Sequence, residues 1–245
     1  MAARPGQLGA KETLSFVVKH ALRDGRVLDI GCGTGEVAAL MKASGFSVTA
    51  IDDHPDNVAD ARDLGVDAHL AEWPRFKGGP FDTVLCARSL HHMGDLTQAI
   101  ASLRSMLAPK GVLLVEEFAW EALDAKGCEW FWQLLRALQA KHELAADADY
   151  FVDEFLRGGG DLYAWQREYR DRHLHEWRAV QGELKRVFPK SSEERTPYLY
   201  RLLARAVSDN VVGLKIVQRT MEAEARLGSA GQLPLIGRRF VARLT

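Results

Sequence analysis

The chain has 245 residues, 47% of them apolar, enough for a full hydrophobic core and suited to one α/β domain carrying an insertion. Lys and Arg number 32 against 33 Asp and Glu, with no run of one sign, so a counterion-releasing nucleic-acid surface is not expected. No stretch of about 18 apolar residues occurs, "MAARPGQLGAKETLSF" lacks the basic-then-apolar order of a secretion signal, and Cys32, Cys86 and Cys128 are too scattered for a disulfide framework or a zinc site. The expectation is a soluble cytoplasmic protein with reduced thiols, no membrane partner and no metal.

From Arg26 to Glu117, short β-branched runs alternate with helical stretches. "RVLDI", "SVTAID", "DAHLA", "DTVLCA" and "GVLLVEE" are the expected strands, and helices are expected near 35–44, 55–64 and 96–107. This alternation is the pattern of a parallel sheet covered on both faces. Pro55 suits the first turn of a helix, and "APKG" from Ala108 stops one by removing a donor and then permitting positive φ.

After Glu117 the pattern changes. Trp120 to Ala206 carries helical spacing, as in Trp132, Leu135 and Leu138 or Leu202, Leu203 and Ala206, and no convincing strand. Five of the six tryptophans (Trp120, Trp130, Trp132, Trp165, Trp177) and all five tyrosines (Tyr150, Tyr163, Tyr169, Tyr198, Tyr200) fall in this stretch. Packing accounts for most single aromatics. The segment as a whole is expected to be a helical lid over an apolar or planar substrate. Val211 to Met221 suits either strand or helix, and "IGRRFVARLT" is short enough for an edge strand.

The densest signal is "RVLDIGCGTGEV", a strand running through Gly31, Gly33 and Gly35 into a helix. Such a turn lets the main chain approach a ligand and presents backbone N–H groups and a helix N-terminus to a carboxylate, phosphate or ribose. A nicotinamide dinucleotide prefers G-x-G-x-x-G, and Glu36 stands where its third glycine belongs, beside a pyrophosphate it would repel. Asp29 adds a negative group suited to an ammonium. An amino-acid-bearing nucleoside therefore fits better. Asp52, 21 residues after Gly31, is placed to accept from ribose hydroxyls, while Asp53 competes for that role or starts the next helix.

"VLDIGCGTG", "VTAID", "AEW", "FDTVLCARSLHHM" and "LAPKGVLLVEE", in order, resemble the successive motifs of class I S-adenosylmethionine-dependent methyltransferases, especially the small-molecule methyltransferase type 11 group. The tail "IGRRFVARL" is similar to that fold's last strand. The resemblance implies a doubly wound, mostly parallel, seven-stranded Rossmann-like sheet with its last strand antiparallel. Residues 1–119 and 207–245 would form the core and 120–206 the lid. It implies S-adenosylmethionine as cofactor, with S-adenosylhomocysteine as product. Gly31, Cys32, Gly33 and Gly35 would line its methionine and ribose, with Asp29 near the ammonium and Asp52 on the ribose. Glu72 would meet the adenine amino group, the Trp73 backbone N–H the adenine edge, and the Ala87 carbonyl the ammonium. The family often has Asp at the position of Glu72 and a small residue at Trp73.

A sulfonium methyl is already activated, so the enzyme chiefly aligns the reactants and excludes water; only a reluctant nucleophile needs a base. His91 and His92, after the fourth strand, and Glu117, at the end of the fifth, are the candidates, although "LHHM" equally suits a ring packed into the sheet edge. A metal cluster of Glu116, Glu117 and Asp124 is a minority reading. His173 and His175 are two apart, on different faces of a helix, and suit surface or packing roles. Tyr198 and Tyr200 suit substrate binding or anchoring, and Arg88 an ion pair or an acidic substrate. The expected function is methyl transfer to oxygen or nitrogen of a small aromatic or lipophilic metabolite, by a monomer or homodimer. The alternatives are a protein that binds the cofactor without turnover and an NAD(P)-dependent oxidoreductase.

Overall fold

A computed structural model describes residues 4–145 and 150–244. The strands are β1 (Arg26–Ile30), β2 (Ser47–Asp52), β3 (Asp67–Leu70), β4 (Phe81–Ala87), β5 (Leu107–Phe118), β6 (Ser191–Thr196) and β7 (Gly237–Arg243). They form one seven-stranded mixed sheet in the order β3-β2-β1-β4-β5-β7-β6, the doubly wound Rossmann-like methyltransferase arrangement. The helices α1 (Pro5–His20), α2 (Glu36–Ala43), α3 (Pro55–Asp63) and α4 (Leu96–Met106) belong to the same half of the sequence.

The central strands are apolar throughout because the sheet is covered on both faces. Only Arg26 is exposed in β1, and six of the seven residues of β4 are buried. Parallel register then decides where the strands end. Ile30 pairs with Ile51 and with Cys86, and Ala87 pairs with Glu116, so Asp29, Asp52, Ala87, Glu116 and Glu117 collect at one carboxyl edge.

The chain packs as two units. One comprises Ala10–Glu117, His175–Glu194 and Arg238–Thr245; the other comprises Met1–Gly9, Phe118–Leu174 and Arg195–Gly237. The stretch 120–206 is thus distributed over both. The second unit holds α5 (Ala125–Ala140), α6 (Tyr150–Arg157) and α7 (Leu162–Asp171), whereas α8 (Trp177–Val187) belongs with the sheet. It is completed by α9 (Leu199–Leu203) and α10 (Val211–Ser229). Its core is aromatic. Phe118 stacks on Tyr198 with ring centroids 4.5 Å apart, and Phe151 meets Trp165 edge-on at 5.2 Å. The buried Trp165 indole donates to the Trp120 carbonyl at 2.9 Å, the polar partner a buried indole requires. Within this unit Glu224 is buried and accepts from the N–H groups of Tyr198, Leu199 and Tyr200, satisfying donors at the start of α9. Burial pushes its carboxyl up to about 7, the three N–H groups opposing.

Three local expectations change and one open reading is decided. The 120–206 stretch does contain a strand, β6, whose "SSEERT" is mostly exposed and carries no apolar alternation. A strand at a sheet edge can be this polar because one side faces water. That edge displaces the tail segment inward, so β7 lies between β5 and β6. Val211 to Met221 is the start of a helix, opened by Asn210, whose side chain accepts from the N–H groups of Val212 and Gly213. In "APKG" the positive φ belongs to Lys110, at 64°, and Gly111 is required instead by space, since a Cβ there would lie 2.8 Å from the Ala108 carbonyl oxygen.

Trp165→Ala removes a ring with no exposed surface, and a loss of about 3–5 kcal/mol is expected by denaturant unfolding. Tyr163→Ala, at an exposed position, should stay within about 0.5 kcal/mol of the parent. Similar losses for the two would contradict this account of the core.

Candidate active site

The glycine turn is built before any ligand is considered. The N–H groups of Gly31 and Cys32 both donate to the Ile51 carbonyl, at 2.9 and 3.0 Å, tying the end of β1 to β2. Gly31, Gly33 and Gly35 all have positive φ, at 72°, 55° and 81°. A Cβ on Gly31 would lie 2.5 Å from Cβ of Ser89, and one on Gly35 would lie 2.5 Å from Cβ of Ala61, so these two glycines serve close packing. On Gly33 it would meet nothing within 4 Å, which leaves this face of the turn open to a ligand.

Two aspartates flank the turn. Asp52 Oδ2 accepts from Gly33 N at 2.8 Å, and its Oδ1 accepts from His54 N at 3.0 Å and Asn57 Nδ2 at 2.9 Å. It therefore holds the turn and the entry to α3 together. Asp53 is exposed, and His54 rather than Asp53 is the residue that precedes α3. Asp29 is 1% exposed, and its Oδ1 has no hydrogen-bond partner among the described residues. Burial pushes its carboxyl up to about 7, with the charge of Arg88 opposing and that of Asp52 adding. Cys32, in the turn itself, is pushed up to about 12 by burial and by the same two aspartates, and is a neutral thiol.

Beyond β3, Glu72 is exposed and pairs with Arg75 at 2.7 Å, while the buried Trp73 donates its indole N–H to the Ala99 carbonyl at 3.0 Å. Together with Pro74, Met93, Asp95 and Gln98 they line a cavity of about 450 Å³. Ala87 ends β4 and is followed by Arg88, at φ 59°, whose N–H donates to the Glu116 carbonyl at 2.6 Å.

The next turn, Leu90–His92, is one short 3₁₀ segment. His91 is buried and His92 exposed, their ring centroids 4.1 Å apart. Glu117 Oε2 lies 2.5 Å from His91 Nδ1, and its Oε1 accepts from Leu90 N at 2.8 Å and His91 N at 3.3 Å. The two histidines, equivalent by spacing, are thus separated: His91 shares a buried pair with Glu117. Consecutive residues of β5 face opposite ways. Glu116 accordingly meets Thr13 Oγ1 at 2.5 Å and Arg239 at 3.3 Å, and Arg88 lies 3.8 Å from it. Asp124 accepts from Gly127 N at the start of α5, and no set of three or more His, Cys, Asp or Glu suited to a metal occurs among the described residues.

The sequence suggests a surface or packing role for His175 within a helix. "HLHEW" is not one helix: α7 ends at Asp171, His173 has φ 54°, and α8 begins at Trp177. His175 N donates to the His91 carbonyl at 3.0 Å, and its Nε2 lies 2.7 Å from the Met93 carbonyl oxygen. Contact over more than 80 positions leaves no local signal. Tyr198 and Tyr200 are buried in the helical unit, and Tyr198 is an anchor stacked on Phe118.

Residues 4–183 match the profile of a methyltransferase domain. The chain belongs to the methyltransferase domain family. Over 131 residues it is 36% identical to a ubiquinone biosynthesis O-methyltransferase of Xanthomonas euvesicatoria pv. vesicatoria, covering 46% of this chain and 53% of the relative. It spans about half the length of the curated relatives it matches. A SAM-dependent methyltransferase from Archaeoglobus fulgidus superposes with a TM-score of 0.57 at 15% identity, over 97% of this chain and 94% of that one. A protein of Pyrococcus horikoshii OT3 gives 0.56 at 16%, over 97% and 91%. These two likenesses show the fold. The family is that of class I S-adenosylmethionine-dependent methyltransferases, and S-adenosylmethionine is its cofactor. The methyltransferase's own residues suit that molecule: an acid with a buried oxygen that has no partner among the described residues, for an ammonium, and a glycine turn open at Gly33. No helix among the described residues is long and apolar enough to cross a membrane.

Asp29 gives a pH-dependent prediction for the ligand-free methyltransferase. Its folded value of about 7 lies above the ordinary 3.8, so the folded chain holds this proton more tightly than the unfolded chain. The resulting stabilisation is full below about pH 4 and is lost as pH rises through about 7. In denaturant unfolding across that window, Asp29→Asn should lose less stability with rising pH than the parent; parallel curves would contradict the assignment.

Proposed function

We propose that this methyltransferase moves a methyl group from S-adenosylmethionine to a hydroxyl oxygen of a small molecule. The observation that carries the reading is the buried His91–Glu117 pair at the carboxyl end of β4 and β5. A bound S-adenosylmethionine supplies an activated methyl group, so the protein's tasks are alignment, exclusion of water and, for a hydroxyl, proton removal. With Nδ1 held by Glu117, proton uptake falls to His91 Nε2, and the carboxylate stabilises the imidazolium that forms. An amine acceptor would have less need of such a pair, which favours oxygen over nitrogen, as does the O-methyltransferase relative.

In the same reading Asp29 takes the cofactor's ammonium, with the Ala87 carbonyl as a second acceptor. Gly31, Cys32, Gly33 and Gly35 line the methionine and ribose. Asp52 has three donors already, so its part is to hold Gly33 in place while accepting from a ribose hydroxyl with its remaining capacity. Asp53 is the more peripheral candidate for that ribose. Glu72 and the Trp73 backbone belong to the adenine end, beside the 450 Å³ cavity. The acceptor is expected to be aromatic or lipophilic, and the protein to act as a monomer or homodimer away from nucleic acid.

The test is release of S-adenosylhomocysteine on incubation with hydroxylated aromatics, aliphatic alcohols and amines. A hydroxylated aromatic should turn over best. His91→Ala and Glu117→Gln should then lower kcat by roughly 10²- to 10⁴-fold, with cofactor affinity little changed. Full activity in both variants would retire the base, and cofactor binding without release on any acceptor would favour a non-catalytic role.

A further inference from the structure

A three-residue 3₁₀ segment cannot fix its own geometry. Its internal bonds are few and poorly aligned, and here they are His92 N to the Ser89 carbonyl at 3.2 Å and Met93 N to the Leu90 carbonyl at 3.1 Å. Like any helical end it presents N–H groups at its start and carbonyl groups at its finish that need outside partners. Glu117 supplies the first set, accepting from Leu90 N and His91 N. His175 supplies the second, bonding the carbonyls of His91 and Met93. The signs also agree with the peptide dipoles, a carboxylate at the start and an imidazole N–H at the finish.

We propose that His175 is a positioning residue for the His91–Glu117 pair, clamping the Leu90–His92 turn from its carbonyl side through both its backbone N–H and its ring. The ring acts as a donor to a carbonyl, so Nε2 carries its proton, and the neutral imidazole serves as well as the charged one. The clamp has a firm base. His175 stands two residues before α8, which packs against α4 and against the turn itself, while the Trp177 indole donates to Glu193 at 3.1 Å. Without the ring, the Met93 end of the turn loses its partner. The turn that carries His91 is then held less firmly, and a small misalignment of a proton acceptor is costly. The effect on turnover rests on the proposed function; the effect on the geometry of the turn does not.

The experiment compares His175→Ala, His175→Gln and the parent in two readouts. Gln keeps an N–H donor of similar reach; Ala does not. The first readout is proton NMR of the cofactor-free protein, following the far-downfield resonance of the His91 Nδ1–H bonded to Glu117, assigned by its loss in His91→Gln. The second is the steady-state split between kcat and KM, with cofactor affinity measured separately. The proposal expects the resonance to broaden or vanish in His175→Ala and to persist in His175→Gln. It expects kcat to fall roughly 10- to 100-fold in the former, as for a small misplacement of a reacting group, with cofactor affinity unchanged. An unchanged resonance in His175→Ala overturns it, and so does equal loss in both variants with unchanged melting temperatures. Should His175→Ala melt early, the Gln variant decides: a retained resonance supports the clamp and a lost one overturns it. A resonance lost in His175→Ala with kcat intact supports the clamp and contradicts His91 as base.

Discussion

Buried carboxylates have to be satisfied, and this sheet collects four of them at one edge. Asp29, Asp52, Glu116 and Glu117 are each less than a tenth exposed, at or next to the carboxyl ends of β1, β2 and β5. Parallel register puts them there, because strands that pair from Arg26 with Ser47 and from Val27 with Thr83 finish side by side. Leaving such groups unpaired is costly, and three of the four gather donors from the surrounding chain. Asp52 fixes the glycine turn to α3. Glu116 joins α1 and β7 through Thr13 and Arg239. Glu117 orders the turn that carries His91. Asp29 keeps one oxygen without a donor from the described residues, and is for that reason the group best suited to a cationic ligand.

Much of this was legible in the sequence, for reasons that can be named. Continuous apolar runs such as "RVLDI" and "DTVLCA" mark strands buried on both faces, and the glycine spacing marks a turn with positive φ; both are local patterns. What stayed hidden was non-local or polar. β6 carries no apolar alternation because it lies at the sheet edge. Spacing alone left His91 and His92 equal, since their difference is set by Glu117, 26 residues away. The partners of His175 were hidden for the same reason at longer range, and the helix assumed around it is a break between two helices.

The aromatic stretch teaches the complementary lesson. Trp120, Trp165, Tyr169 and Tyr198 interlock with Phe118, Phe151 and Phe155 as the core of the helical unit. Their abundance reflects how a small group of short helices buries enough apolar area.

The central claim is that the glycine turn receives an adenosyl nucleoside with an ammonium group, and calorimetric titration with S-adenosylmethionine, S-adenosylhomocysteine and NADH in parallel tests it most directly. The account predicts binding of the two adenosyl compounds and none of NADH. Binding of NADH alone would contradict it, and with it the roles given to Asp29, Gly33 and Asp52.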